Sequence, residues 1–144
     1  MIKIKLVNQS PNPLPEFATE GSAGVDLRAH LNDDVLIKPL ERVMVSTGLF
    51  IELPGGYEAQ IRPRSGLAAK HGVTVLNAPG TIDSDYRGEI KVILVNLSND
   101  DFVVRNGDRI CQMVIHQYET FHWEEVSVLN STDRGGGGFG HTGV

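Results

Sequence analysis

The chain reads as an all-β sandwich or barrel, and three observations carry that expectation. Apolar residues alternate or gather in short β-branched runs, glycine, proline, asparagine and aspartate separate the runs at close intervals, and only one stretch has a helical pattern. The runs are Ile2–Val7, Val35–Ile37, Val43–Leu53, Tyr57–Ile61, Val73–Leu76, Glu89–Leu97, Phe102–Val104, Arg109–His116 and Phe121–Glu125. Turn residues stand between them at Pro54-Gly55-Gly56, Asn77-Ala78-Pro79-Gly80, Ser98-Asn99-Asp100-Asp101 and Asn106-Gly107-Asp108, where side chains tolerate positive φ or proline sets φ near −65°. The one helical segment takes Ser65 as its N-cap, continues through Gly66-Leu67-Ala68-Ala69-Lys70 and closes at Gly72 in the left-handed conformation, about two turns in all.

With 144 residues, 40% hydrophobic and 22% charged, the chain can bury one core, so residues 1–144 are expected to form a single domain. No segment reaches the ~20 uninterrupted apolar residues of a membrane span. Met1-Ile2-Lys3-Ile4-Lys5 alternates charge where a secretion signal needs an apolar block, which makes a cytoplasmic setting the expectation. Cys111 is the only cysteine, so neither a disulfide framework nor a cysteine zinc cage is open to the chain. Its neighbours Ile110, Gln112, Met113 and Val114 mark it as a small core residue. The formal charge of −5 argues against an extended nucleic-acid backbone as partner but leaves room for a small anion held by a few local arginines.

Three constellations carry possible chemistry. In Arg62-Pro63-Arg64-Ser65-Gly66-Leu67, two guanidinium groups precede a helix start whose free N–H groups favour an anion; the same residues also fit an ordinary serine cap beside two surface arginines. The segment from Asn77 to Glu89 holds Asp83, Asp85 and Tyr86 between apolar runs. It is either a long polar hairpin or a site in which Asp83 acts as base toward water beside the flat face of Tyr86. The end of the chain, Arg134-Gly135-Gly136-Gly137-Gly138-Phe139-Gly140-His141-Thr142-Gly143-Val144, has too few side chains to bury anything and is expected to be mobile without ligand. Its glycines would let Arg134, Phe139, His141 and Thr142 wrap a planar anion. Residues 126–138, extended at ~3.3 Å each, span roughly 40 Å. A globule of this length has a radius of gyration near ~15 Å, so the tail can cross to a neighbouring subunit.

Metal ligation by histidine is not expected, because His30, His71, His116, His122 and His141 show no zinc spacing. A hard divalent ion carried by phosphates needs only one or two carboxylates, directly or through water. Asp26 in Ala23-Gly24-Val25-Asp26-Leu27 fits that role, and it fits equally a turn aspartate after Gly24.

Taken in order, Ala23–Leu27, Arg62–Val73, Gly80–Glu89, Gly107–Ile115 and Arg134–Gly143 resemble the five motif segments of the trimeric dUTPase family, over essentially the whole chain. Val25, Thr81 and Cys111 depart from the commonest family pattern without removing a functional group. The resemblance implies a jelly-roll-like β-barrel or sandwich with one short helix and a swapped, flexible C-terminal arm, assembled as a homotrimer with three interfacial active sites. One subunit would supply Asp26, Arg64, Ser65, Gly66 and Gln112, a second the hairpin with Asp83 and Tyr86, and a third the tail.

The implied reaction is hydrolysis of dUTP to dUMP and pyrophosphate, with water attacking the α-phosphorus and Asp83 orienting and deprotonating it. Arg64, Ser65, Gly66 and Gln112 would hold phosphate oxygens, with Mg²⁺ bridging the triphosphate and reached by Asp26 through water. Main-chain groups of Gly80, Thr81 and Ile82, supported by Asn77, would read the uracil edge, and Tyr86 would exclude a ribose 2′-hydroxyl. Phe139 would cover the base while Arg134, Gly140, His141 and Thr142 close over the phosphates. Two other readings stay open on the residues alone: a dCTP deaminase of the same fold, and a nucleotide-binding module without turnover.

Overall fold

The structure, a computed structural model, describes residues 1–139. Eleven strands and one helix follow one another as β1 Lys5–Asn8, β2 Val25–Arg28, β3 Val35–Ile37, β4 Arg42–Ser46, β5 Leu49–Glu52, β6 Tyr57–Arg62, α1 Ser65–His71, β7 Val73–Val75, β8 Gly80–Ile82, β9 Lys91–Asn96, β10 Phe102–Val104 and β11 Arg109–Gln117. All strand pairings are antiparallel. They form a four-stranded sheet in the order β2-β11-β6-β8, a three-stranded sheet β4-β9-β7, and the ribbons β1-β5 and β10-β3. The all-β expectation holds, and among the described residues no helix is long and apolar enough to cross a membrane.

Alternation explains the layering. On β6, Ala59 and Ile61 are buried while Glu58, Gln60 and Arg62 face outward; β5 buries Leu49 and Ile51 in the same rhythm. Those inward residues join Leu27, Cys111 and Met113 of the four-stranded sheet, Val45, Val92 and Leu94 of the three-stranded one, and Ile37 and Val104 of the short ribbon in one core cluster. Two polar side chains lie inside it, both satisfied. Asn96 donates to the carbonyls of Ile37 (2.9 Å) and Asp100 (2.7 Å) and accepts from the Ser98 amide and hydroxyl. Thr47 donates to the Ile90 carbonyl at 2.6 Å.

Several boundaries differ from those read in the sequence. The run Val43–Leu53 breaks into β4 and β5 at Thr47-Gly48, where Gly48 has φ +69° and any Cβ would stand 2.8 Å from that of Ser10. Short strands β2 and β8 were not anticipated, because Val-Asp-Leu-Arg and Gly-Thr-Ile are too brief to show a period. Ser65 is not the N-cap: Arg64 holds that position in extended conformation, its carbonyl accepting the Ala68 amide at 3.1 Å, with no side-chain cap. Gly72 closes the helix at φ 62°, as expected.

The segment Phe121–Glu125 forms no strand. Its only partners would have to come from elsewhere, because the last described backbone tie to the body is the Tyr118 amide on the Gly56 carbonyl. Beyond it, Phe121 and Trp123 meet edge to face at 5.0 Å and stay largely exposed, Trp123 at 89%. Backbone bonds farther on are local, from Gly135 to Thr132 and from Gly137 to Arg134.

Candidate functional site

Two clefts collect the residues singled out by sequence. The larger, about 830 Å³, is walled on one side by the segment from Ser10 to Ala18 and floored by the outer face of the four-stranded sheet. Register builds that floor: Asp26 on β2 stands opposite Gln112 on β11, which stands opposite Arg62 on β6, so one cross-strand row carries a carboxylate, an amide and a guanidinium. Arg28, Arg64 and Arg109 complete the lining. Four guanidinium groups against the carboxylates of Glu16 and Asp26 make the cleft an anion site.

The charges hold one another in place. Asp26 Oδ1 accepts from Arg64 Nε and its Oδ2 from an Arg109 terminal nitrogen, each at 3.2 Å. Arg64 also donates to the Arg109 carbonyl at 3.1 Å, and Arg28 donates to the Gly107 carbonyl at 2.8 Å. Arg62 turns along the sheet instead, bonded to Gln60 Oε1 and to His116 Nε2. Ser65 and Gly66 open α1 immediately beyond Arg64 and are exposed, and the Ser65 hydroxyl is not used as a cap. Thus Asp26, Arg64 and Gln112 are brought together, with Ser65 and Gly66 at the rim.

Arg109 was not among the residues expected here. Strict alternation places residues three apart on opposite faces of a strand, yet Arg109 and Gln112 line the same cavity. The pairing of β11 with β2 slips between Arg109 and Cys111, a β-bulge, and the consecutive residues Ile110 and Cys111 are both buried. Two adjacent apolar residues beside Arg109 are the only sequence trace of it. Cys111, as expected, is core: burial, and secondarily the charge of Asp26, push its thiol up to about 12, which leaves it an unreactive neutral group.

The smaller cleft, about 280 Å³, is lined by Thr81, Ile82, Asp83, Tyr86 and Glu89 together with Met44, Ile90, Lys91 and Ile93. Strand β8 is the edge of its sheet, so one side of the Gly80–Ile82 backbone has no strand partner. Gly80 is buried against Ile61, with the Asn77 amide packed beside it. The turn after β8 is set by the Tyr86 amide on the Asp83 carbonyl and by the Tyr86 hydroxyl, which donates to the Glu89 carbonyl at 3.0 Å. The phenol crosses Gly88 so closely that a Cβ there would collide with it. Asp83 is exposed, and among the described residues its carboxylate accepts no hydrogen bond.

The two clefts share no lining residue. Arg134 and Phe139 belong to neither: Arg134 Nε bonds the Gly137 carbonyl at 2.8 Å, and Phe139 is fully exposed with φ 50°. Gly140, His141 and Thr142 lie outside the described residues.

The structure thus sets an arginine-lined cleft and a separate edge-strand pocket on one β body, and comparison with known proteins gives the class. The dUTPase family model matches residues 10–143. Deoxyuridine 5'-triphosphate nucleotidohydrolase of Finegoldia magna is 58% identical over 142 residues, covering 99% of each chain. Those of Rickettsia felis (58%) and Fusobacterium nucleatum (52%) each align with 99% of this chain and 97% of their own length. Among solved structures, a Staphylococcus bacteriophage 80alpha dUTPase with dUpNHpp shares the fold over both full chains at TM-score 0.89 and 22% identity. A dUTPase of phage phi11 of S. aureus, described for its structural Mg(II) ion, matches 90% of this chain and all of its own at TM-score 0.80 and 20% identity. The chain belongs to the dUTPase family, and its body is the family's jelly-roll β fold.

Proposed function

We propose that the chain is a dUTP diphosphatase that hydrolyses dUTP to dUMP and pyrophosphate in the cytoplasm, limiting uracil incorporation into DNA and supplying dUMP for thymidylate synthesis. The observation that carries this reading is the separation of the clefts: an arginine-lined one and one against the free edge of β8 share no lining residue, which supports a triphosphate in the first and a base and sugar in the second. They become one site when two copies meet. A homotrimer closes that arrangement three times, and the exposed arm, with Phe121, Trp123, Val128 and Leu129 uncovered, is the element that reaches a third chain.

Within such a site Arg64, Ser65, Gly66 and Gln112 bind the phosphates, and the free edge of Gly80–Ile82, steadied by Asn77, pairs with the uracil rim. Tyr86, fixed over Gly88, leaves no space for a ribose 2′-hydroxyl. The open carboxylate of Asp83 takes the proton of the attacking water as the α-phosphorus to pyrophosphate bond breaks. Each Asp26 oxygen accepts a single guanidinium bond, which leaves a lone pair for a water shared with Mg²⁺. A lone carboxylate already bonded to two arginines suits an ion that the triphosphate brings with it. When bound, Mg²⁺ neutralises charge growing on the pyrophosphate. Arg134, Phe139, Gly140, His141 and Thr142 close the site over the base and phosphates.

The test is complementation. Asp83→Asn and Arg64→Ala chains, each inactive alone toward dUTP with Mg²⁺, are refolded together. Random assembly gives about a quarter of the sites an intact hairpin from one chain and an intact cation cleft from its neighbour, so activity returns toward that fraction. A mixture as inactive as its parts overturns the shared site. Wild-type release of ammonia from dCTP, or binding without turnover, overturns the reaction.

A further inference from the structure

Arg109 lies in the anion cleft because of the bulge at Ile110, and it touches Arg64 twice, directly and through Asp26. Its carbonyl accepts from one terminal nitrogen of Arg64, while its guanidinium holds Asp26, whose other oxygen accepts from Arg64 Nε. Arg64 Nε and one terminal nitrogen are therefore both held, and among the described residues the second terminal nitrogen donates to no protein group, which leaves it for the cleft. A flexible arginine loses substantial rotamer freedom when it binds an anion, and holding it beforehand removes part of that loss. We propose that Arg109 and Asp26 are positioning residues for Arg64: the bulge on β11 exists to bring Arg109 to the Gln112 face, where it locks the guanidinium that receives the triphosphate.

The inference rests on the proposed function only in taking a triphosphate as the ligand, and its test separates the two. Binding of dUpNHpp to the full-length wild-type protein is measured by calorimetry in EDTA, so that metal plays no part. Arg109→Met lowers that affinity about ten- to a hundredfold, the range of one charge-assisted hydrogen bond lost. Arg109→Lys, which keeps the charge and loses the fork, restores little of it.

The decisive comparison is the double variant. If Arg109 acts through Arg64, then Arg64→Ala combined with Arg109→Met binds no worse than Arg64→Ala alone. Additive losses would show that Arg109 contacts phosphate itself and would overturn the positioning role. So would full affinity in Arg109→Lys, or a loss in Arg109→Met matched by an equal loss of deoxyuridine binding, which involves no phosphate and reports a disturbed fold or assembly. Failure of the wild-type protein to bind dUpNHpp would instead count against the proposed substrate.

Discussion

The two clefts are built on opposite principles. In the larger one, the charged groups on and beside the sheet floor are held by neighbours: Asp26 by two arginines, Arg64 by a carboxylate and a carbonyl, Arg62 by Gln60 and His116. Its floor runs across β2, β11 and β6 of the four-stranded sheet, and that register sets its geometry before any ligand arrives. The smaller cleft stands on an edge strand and a turn, and its key carboxylate is exposed and unbonded within the described residues. Binding charge rewards a rigid, pre-paired lining, whereas water activation requires a base whose lone pairs are free. A single chain can provide both conditions because they are kept apart, and assembly then brings them together.

If that division is right, the largest effect comes from the free carboxylate. Asp83→Asn lowers kcat about a hundred- to ten-thousandfold while dUpNHpp affinity stays near wild type, read by pyrophosphate release and calorimetry on the same preparation. Comparable turnover in the variant would place the base elsewhere. Next is the arm. Deleting residues 134–144 leaves the assembly intact by light scattering but cuts turnover about a hundredfold, because water then enters the phosphate cleft. Full activity of the truncated chain would mean that the two clefts suffice without a third contributor. A smaller change follows from the phenol: Tyr86→Ala raises the kcat/KM for UTP relative to dUTP about tenfold, and an unchanged ratio would remove the steric account of sugar selection.

Much of this was legible in the sequence, and the failures have physical causes. The alternating run that gives β6 and the apolar run that gives β11 carry their own signal, so the sheet centre could be read. Three-residue β8 has none; its pairing with β6 comes from tertiary contact, and the same residues read equally well as a polar loop. Phe121–Glu125 failed in the reverse direction: it has strand composition but no partner within the described chain, and an unpaired strand is not a strand. For the site, residue types marked Asp26, Arg64, Asp83 and Tyr86 as candidates, and each lines one of the two clefts. Arg109 was missed because parity along β11 assigns it to the wrong face, and a one-residue slip that reverses parity is set by register with β2 rather than by local sequence. The cap lies at Arg64 and not at Ser65 because the Arg64 carbonyl takes the first helical bond, from the Ala68 amide, and no side chain caps the helix, so the serine's capping preference goes unused.

The smallest expected effect lies away from both clefts and serves to show that they, and not general stability, govern the reaction. On the β1-β5 ribbon, Glu52 accepts a 2.8 Å hydrogen bond from its register partner Lys5. That bond, with the Lys5 charge next and Arg87 a minor contributor, holds its carboxyl below the usual 4.5. A carboxylate whose pKa is lowered by folding stabilises the native state above the unfolded value, and this contribution fades as pH falls through the folded one. The pair is fully solvated, so the effect is slight and salt weakens it further. Thermal melts of Glu52→Gln and wild type should therefore differ slightly above pH 4.5 and converge below it, with dUTP turnover the same in both at neutral pH. A change in turnover would mean that this ribbon, through Arg87 on the hairpin, reaches the Asp83 cleft after all.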